Sequence, residues 1–221
     1  GKLNKQLAEK QKAAPKPRMV MAVKDGKVQD IKLHVRGSHR DLGDTVPRGA
    51  PVGFGFKGIS DIPRDQSGRL QLAEWLARPE HPLTARVMVN RVWQRLFGSG
   101  LVTTPSDFGV RAEPPSHPRL LDFLAADFLK NGWSVKALIL GIVTSSTYCQ
   151  GETSRPEYAG RDPANRLLWQ MNRKRLDFEA MRDSVLSVSG GLNLRQGGRS
   201  VRIDDKPEAS RRTVYAFVNR Q

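Results

Sequence analysis

Apolar and polar residues alternate along most of this chain with the period of an α-helix. Between Gly68 and Gly191, apolar side chains recur every three or four positions, which places them along one helical face. The clearest example is the segment 83–97, which follows Pro82 and ends at Gly98. The pattern predicts helices over residues 68–79, 83–97, 118–130, 134–143 and 163–169, and a last helix that begins at Asp177. We expect them to collapse into one body around a shared apolar core.

Several of these helices have recognisable start signals. Ser134 stands where an N-cap residue is expected. Asp162 is expected to cap the short helix that follows it. Asp177 is expected to cap the last helix, where Leu176 and Met181 have the spacing of a hydrophobic staple.

Strand patterns occur near the two ends of the chain. Residues 19–23 and 28–35 flank an Asp25-Gly26 pair, and apolar residues alternate with polar ones in the second of these runs. This arrangement predicts a β-hairpin with an Asp-Gly turn. Residues 212–218 predict a strand near the C-terminal end.

The remaining segments set the expected domain organisation. Residues 36–67 are dense in Gly, Pro and Asp and predict a long loop. We expect a basic tether over 1–18, the hairpin and loop over 19–67, and a helical domain over 68–221. The predicted fold class is mainly α, a helical bundle-like body with a small N-terminal β-hairpin and a C-terminal strand.

Charge narrows the choice of partners. The 221 residues include 37 Lys and Arg against 22 Asp and Glu, a formal net charge of +15. Such a surplus favours nucleic acid, an anionic membrane, an acidic polymer or an acidic protein partner, unless the cations are simply spread over a solvated surface. Nucleic acid is disfavoured, because the aromatic residues occupy predicted core positions and no recognition motif occurs.

Three further observations from the sequence exclude kinds of site or segment. A single cysteine, Cys149, excludes an internal disulfide, a cysteine-based zinc site and covalent c-type haem within these residues. No apolar run approaches the roughly 20 residues that a transmembrane helix needs. No metal site is predicted, since the spacing of His34 and His39 matches no known ligand set.

A polar stripe on the predicted helix 83–97 is the first candidate binding feature. Arg86, Asn90 and Gln94 fall at positions i, i+4 and i+8. They could present a guanidinium and two amides to an anion, or form a buried network that fixes helix packing. The candidates for anion or partner binding are Arg86, Asn90, Arg91, Arg173 and Arg175.

The candidates for catalysis lie in the following loop. Asp107, Glu113 and His117 could bind a metal or transfer protons, because carboxylates and imidazole do both. The alternative is structural: Asp107 would bind loop amides, and His117 would stand at an ordinary helix start. No phosphate-binding glycine loop and no nucleophile elbow occur.

Three long runs carry a resemblance to a known family. They are MAVKDGKVQDIKLHVRGSHRDLGDTVPRG, HPLTARVMVNRVWQRLFGSGLVTTPSDFGVRAEPPSHPRLLDFLAADFLKNGWSVKALILGIVTSSTY and DPANRLLWQMNRKRLDFEAMRDSVLSVSG. Together they resemble a domain of unknown function at the C-terminal end of large exported planctomycete proteins. The chain departs from it at Cys149, where members often have Arg, and members continue beyond Gln221, so we expect the domain to be truncated here.

The resemblance implies a setting rather than a reaction. In that family the domain usually follows another domain of unknown function, and many members carry a c-type cytochrome domain. It therefore implies a periplasmic or cell-surface location, with no cofactor in this chain and haem c on another domain of the full-length protein. It supplies no catalytic residues.

These observations lead to one principal hypothesis and two alternatives. The principal one is a helical interaction or scaffold module of an exported, cytochrome-linked protein, which presents a basic surface to other domains or subunits or to an acidic polysaccharide. The alternatives are a carbohydrate-active or redox-linked enzyme that uses Asp107, Glu113 and His117, and a nucleic-acid-binding protein. Whether the chain is an enzyme stays open at this point.

Overall fold

The computed structural model describes residues 5, 10, 21–49, 62–151, 153, 155–203 and 208–218. Most of the predicted tether lies outside these residues. The chain divides into two compact units, Gly1–His81 and Pro82–Gln221.

The first unit contains a two-stranded antiparallel sheet. Strand β1 (Ile31–His34) pairs with β2 (Leu42–Val46), and the turn between them includes a 3-10 segment. Arg36 and Gly37 adopt left-handed φ angles of 49° and 78°, which reverse the chain direction. The predicted hairpin therefore exists, but its second strand lies in the segment that was predicted to be a loop.

The Asp25-Gly26 pair does not form the hairpin turn, and residues 21–23 form no strand. Asp25 instead accepts hydrogen bonds from the backbone N–H and the hydroxyl of Ser67, at 3.1 and 2.8 Å, and pairs with Arg69. The Arg69 and Ser67 hydrogen bonds hold the pKa of Asp25 below its ordinary value. Asp25 thus secures the start of helix α1 (Arg69–Leu76).

The second unit contains the main helical body. Its two long helices are α2 (Thr84–Phe97) and α3 (Pro118–Lys130), followed closely by α4 (Val135–Val143). Two single-turn helices come next, α5 (Ser146–Cys149) and α6 (Pro156–Ala159). The last is α7 (Phe178–Val188).

One apolar core joins α2, α3 and α4. Helix α2 packs mainly against α3, and α4 contacts both. Trp93 and Phe97 of α2 stack with ring centroids 4.1 Å apart, and both are buried. The other buried apolar residues are Ala85, Val89, Leu101, Val102, Leu121, Leu124, Ala125, Phe128, Leu138 and Ile142. Apolar periodicity predicted most of these buried residues, but Met88, Val135 and Ile139, which it also places on the apolar faces, are exposed.

The capping predictions had different outcomes. The Ser134 hydroxyl accepts the N–H of Ala137 at 3.2 Å, which confirms it as an N-cap. Asp177 occupies the N-cap position of α7 but accepts no capping hydrogen bond. The side chains expected to form its staple, Leu176 and Met181, are 62% and 51% exposed.

The predicted helix over 163–169 is wrong. This segment forms successive turns, because Asn165 and Leu168 have left-handed φ angles of 50° and 56° that an α-helix cannot contain. The Asp162 carboxylate accepts the N–H groups of Arg166 and Leu167, at 2.9 and 2.7 Å, and so stabilises a turn instead of a helix.

The predicted C-terminal strand over 212–218 is also wrong. Residues Thr213–Tyr215 form a 3-10 turn, and among the described residues this segment pairs only through the isolated bridges Asn193↔Arg211 and Val201↔Ala216. The N–H of Thr213 donates to a carboxylate oxygen of Asp183 at 2.7 Å rather than to a neighbouring strand.

The structure confirms a mainly α fold with a small N-terminal sheet. It does not confirm a single helical body, because α1 lies in the first unit and no residue of α7 is buried. Within the described ranges, the helices are too short or too polar to cross a membrane.

Candidate functional site

The polar residues of α2 have two different roles, because Asn90 is bonded in the interior and Arg86 forms an ion pair at the surface. Asn90 is completely buried, and its side-chain amide donates to the carbonyl of Val102 at 3.0 Å while its oxygen accepts the N–H of Val102 at 2.9 Å. The close approach requires glycine at position 100, where a Cβ would lie 2.8 Å from the Asn90 amide. Asn90 therefore fixes the loop after α2 and is not available to a ligand.

Arg86 bridges the two long helices at the surface. Its guanidinium donates to Asp122 of α3 at 2.7 Å and to the carbonyl of Pro82 at 2.5 Å. The side chains of Arg86 and Asp122 are 37% and 58% exposed, so the pair is only partly shielded from water. Solvent screening makes such a pair a weak contributor to stability.

This ion pair lies in the wall of a cleft of about 230 Å³ in the second unit. The cleft is lined mostly by apolar residues of α2, α3 and the loop between them, with three charged side chains. The lining residues are Arg86, Val102, Phe108, Gly109, Ala112, Glu113, Pro114, Pro115, Pro118, Leu121 and Asp122. Glu113 pairs with Arg166 at 3.0 Å, so the carboxylates in the lining already have cationic partners.

The other two catalytic candidates are absent from this lining. One oxygen of Asp107 accepts the N–H of Gly109 at 2.9 Å, which closes a local turn. His117 stands at the start of α3, where Nδ1 lies 3.0 Å from the hydroxyl of Ser116. Both contacts are those expected of structural residues.

The described residues also hold no candidate metal centre. Nowhere in the described ranges do three His, Cys, Asp or Glu side chains lie close enough together to bind a metal ion.

A cluster of cations lies at the opposite end of α2 from Arg86. Arg91 and Arg95 are exposed and one helical turn apart. The extended segment 172–175 passes this end of the helix, where the Asn172 amide donates to the carbonyl of Phe97 at 3.0 Å and Lys174 donates to the carbonyl of Arg95. We call Arg91, Arg95, Arg173, Lys174 and Arg175 the basic patch.

The basic patch lies at the protein surface. All five residues are exposed. Among the residues that the structure describes, Arg91, Arg95 and Arg175 form no ion pair. Lys174 also places its charge at the C-terminal end of α2, where the helix dipole favours a cation.

The structure therefore separates the five predicted binding residues. Arg91, Arg173 and Arg175 belong to the basic patch. Asn90 is bonded to the buried backbone of Val102, and Arg86 forms a partly exposed pair with Asp122. Sequence reasoning missed Arg95 and Lys174. The spacing of Arg95 from Arg91 was a usable signal, but the contact between Lys174 and α2 joins residues 79 positions apart and has no local signal.

Comparison with known proteins identifies a matching protein family. A family model described as "PSD1: Protein of unknown function (DUF1553)" matches residues 68–221, well over half of the chain. No match was found among curated proteins. None was found among solved structures.

Proposed function

Since the chain belongs to the PSD1 family of proteins of unknown function (DUF1553), we propose that it acts by binding rather than by catalysis. It would be a helical interaction module whose basic patch holds an acidic partner, either another domain or an acidic polymer. The observation that carries this proposal is the group of exposed arginines, Arg91, Arg95 and Arg175, with no ion pair among the described residues.

Electrostatics favours this use of the patch. Five cations on adjoining elements concentrate positive potential in a chain whose net charge is already +15. A single exposed ion pair stabilises a complex by only about 0–1 kcal/mol. A useful affinity therefore needs several pairs, and it should fall as salt rises because exposed charges are screened.

The proposed setting comes from the sequence resemblance. We propose that the chain is part of an exported planctomycete protein at the periplasm or cell surface, with haem c on another domain of the full-length polypeptide. The partner would then be a neighbouring domain, a subunit or an acidic surface polymer.

The structure gives less support to the two alternatives. Asp107 and His117 bond to neighbouring residues, Glu113 pairs with Arg166, and only Glu113 lines the cleft. For nucleic acid, the basic patch itself contains no aromatic ring on which a base could stack, and Trp93, Phe97 and Phe128 are buried in the core.

Binding of the full chain to polyglutamate and to polygalacturonate, titrated with salt, tests the proposal. The variant R91E/R95E/R175E should weaken binding at low salt by about tenfold or more, since three pairs of up to about 1 kcal/mol are replaced by repulsion. The matched control R111E/K130E/K136E makes the same charge change at exposed positions away from the patch.

The control variant should keep most of the affinity. An equal loss in both variants would mean that only net charge matters, and an intact chain that binds neither polymer at low salt would refute the proposal.

A further inference from the structure

Helix α7 turns its polar side toward the protein. Arg182 donates to the carbonyl of Arg211 and to the hydroxyl of Thr213, both at 3.0 Å, and also to the carbonyl of Ala209. Asp183 accepts the N–H and the hydroxyl of Thr213, at 2.7 and 2.6 Å. The contacts that hold α7 to the C-terminal segment are therefore largely hydrogen bonds.

The apolar side of the same helix faces outward. Phe178, Met181, Val185 and Val188 follow each other at intervals of three, four and three residues, so they form one line along α7. Their exposed fractions are 54%, 51%, 65% and 91%. We call these four residues the apolar stripe, and its spacing is that of a helix that pairs with another helix.

The apolar stripe begins where the basic patch ends. Arg175 precedes Phe178 by three residues, and Lys174 is anchored to the end of α2. The extended chain from Lys174 to Phe178 can span at most about 14 Å. A partner helix of about 18 residues is roughly 27 Å long and can therefore contact both surfaces at once.

These two adjoining surfaces point to a partner, and the inference rests on the proposed function. We infer that the chain binds an acidic, amphipathic protein helix, whose apolar side packs along the stripe and whose carboxylates meet the basic patch. An acidic polysaccharide would satisfy the patch but would leave Phe178, Met181 and Val185 exposed. A second copy of this chain would bring the same cations into contact and be repelled.

An anionic membrane suits α7 less well than a protein does. Helices that lie in a membrane surface carry Lys and Arg on their own polar face. In α7 and its N-cap, Asp177, Glu179 and Asp183 outnumber Arg182, and both Arg182 and Asp183 are bonded to the C-terminal segment. A membrane would bring anionic headgroups against these carboxylates along the whole helix, whereas a protein helix can carry its own carboxylates over the basic patch and away from α7.

Three probes offered to the full chain test the partner class by fluorescence anisotropy. The first is an amphipathic peptide of about 18 residues built from Leu, Ala and Glu, with Leu at heptad a and d positions. The second is a scrambled peptide of the same composition, and the third is polyglutamate of equal length. The intact chain should bind the amphipathic peptide about tenfold tighter than the scrambled one, a difference of about 1.4 kcal/mol.

Two variants test whether the preference for the amphipathic peptide depends on the apolar stripe. M181S/V185S should remove the preference for the amphipathic peptide and leave polyglutamate binding unchanged, whereas the control S184A/S187A on the same helix should keep the preference. Equal thermal melts of the two variants would show that each is folded.

The outcomes separate this inference from the proposed function. If polyglutamate binds but the two peptides bind equally, the partner class is wrong and the basic patch stands. If none of the probes binds, both are wrong. Binding to phosphatidylglycerol vesicles, or self-association in light scattering, would also overturn the inference if M181S/V185S abolished it.

Discussion

Helices α2 and α7 have similar sequence patterns, but α2 buries its apolar side and α7 exposes it. Both carry an apolar line at intervals of three and four residues. In α2 this line, which includes Val89, Trp93 and Phe97, is buried against α3 and α4. In α7 the corresponding line is exposed, and Arg182 and Asp183 bind the C-terminal segment instead.

The difference shows what decides which side of a helix is buried. Helix α2 is followed by two further amphipathic helices that offer apolar surface. Beside α7 lie the backbone carbonyls and the hydroxyl of residues 209–213, which offer mainly hydrogen-bonding groups. Periodicity therefore predicts that a helix has an apolar side, whereas the neighbouring elements determine whether that side is covered.

The largest expected effect comes from comparing a substitution in the buried apolar line of α2 with one in the exposed apolar stripe of α7. Phe97→Ala should lower the free energy of unfolding by about 3–5 kcal/mol, because a fully buried ring is replaced by a cavity. Val185→Ser should change it by no more than about 0.5 kcal/mol, as exposed substitutions do. Urea denaturation of both variants measures this. A cost at Val185 similar to that at Phe97 would show that the apolar stripe is buried in solution.

A smaller effect is expected at the polar contact inside the α2 body. Asn90→Ala leaves the buried N–H and carbonyl of Val102 without their partners, which should destabilise the protein by about 2–3 kcal/mol. Asn131→Ala, which removes an exposed amide bonded to one carbonyl, is the control. Thermal unfolding of both variants gives the comparison. A melting temperature for Asn90→Ala equal to that of the control would contradict the role of this contact.

The smallest effect is local and concerns the polar side of α7. Asp183→Ala removes both bonds to Thr213, so residues 209–215 should open about 1–2 kcal/mol more easily in hydrogen exchange. The neighbouring substitution Ser184→Ala should leave exchange of residues 209–215 unchanged, since its hydroxyl bonds within α7. Unchanged exchange in Asp183→Ala would show that Asp183 does not hold the segment.

The same carboxylate makes this attachment depend on pH. The Thr213 hydroxyl lowers the pKa of Asp183 below its ordinary value, with further contributions from the Thr213 N–H and Arg212. The stabilising contribution is therefore complete above the ordinary carboxyl pKa of about 4, and it is lost as the pH falls through the lower native pKa. Acid should loosen residues 209–215 in the native chain, and this dependence should be absent in Asp183→Ala.

The sequence predicted the parts of the fold that depend on local pattern. The bounds of α2, the Ser134 cap and most of the buried residues of α2 to α4 follow from apolar periodicity and capping chemistry. The turn at 163–169 could not be predicted in this way, because the left-handed conformation of Asn165 depends on its side-chain bonds to Gln170 and Asn172. The Asp-Gly pair also gave the wrong partner for β1, because β1 pairs with the later segment Leu42–Val46 and not with the residues before Asp25.

The candidate site was less predictable, since its contacts join distant residues. Arg86 and Glu113 were recognised as polar residues, but their partners Asp122 and Arg166 lie 36 and 53 positions away. No single-sequence pattern links such pairs. Three of the five residues of the basic patch were predicted, Arg91 on α2 and Arg173 and Arg175 on the extended segment. Their proximity could not be predicted, because it depends on how the chain returns to the end of α2.

The contact between Asn90 and the loop after α2 also limits how this protein can vary. Any side chain at position 100 would collide with the Asn90 amide and with the carbonyl of Val102, 2.4 Å from the new carbon. In a library of random variants, position 100 should thus be among the least tolerant of substitution, and a change at position 90 alone would not rescue it, because the backbone carbonyl of Val102 would still collide with the new side chain.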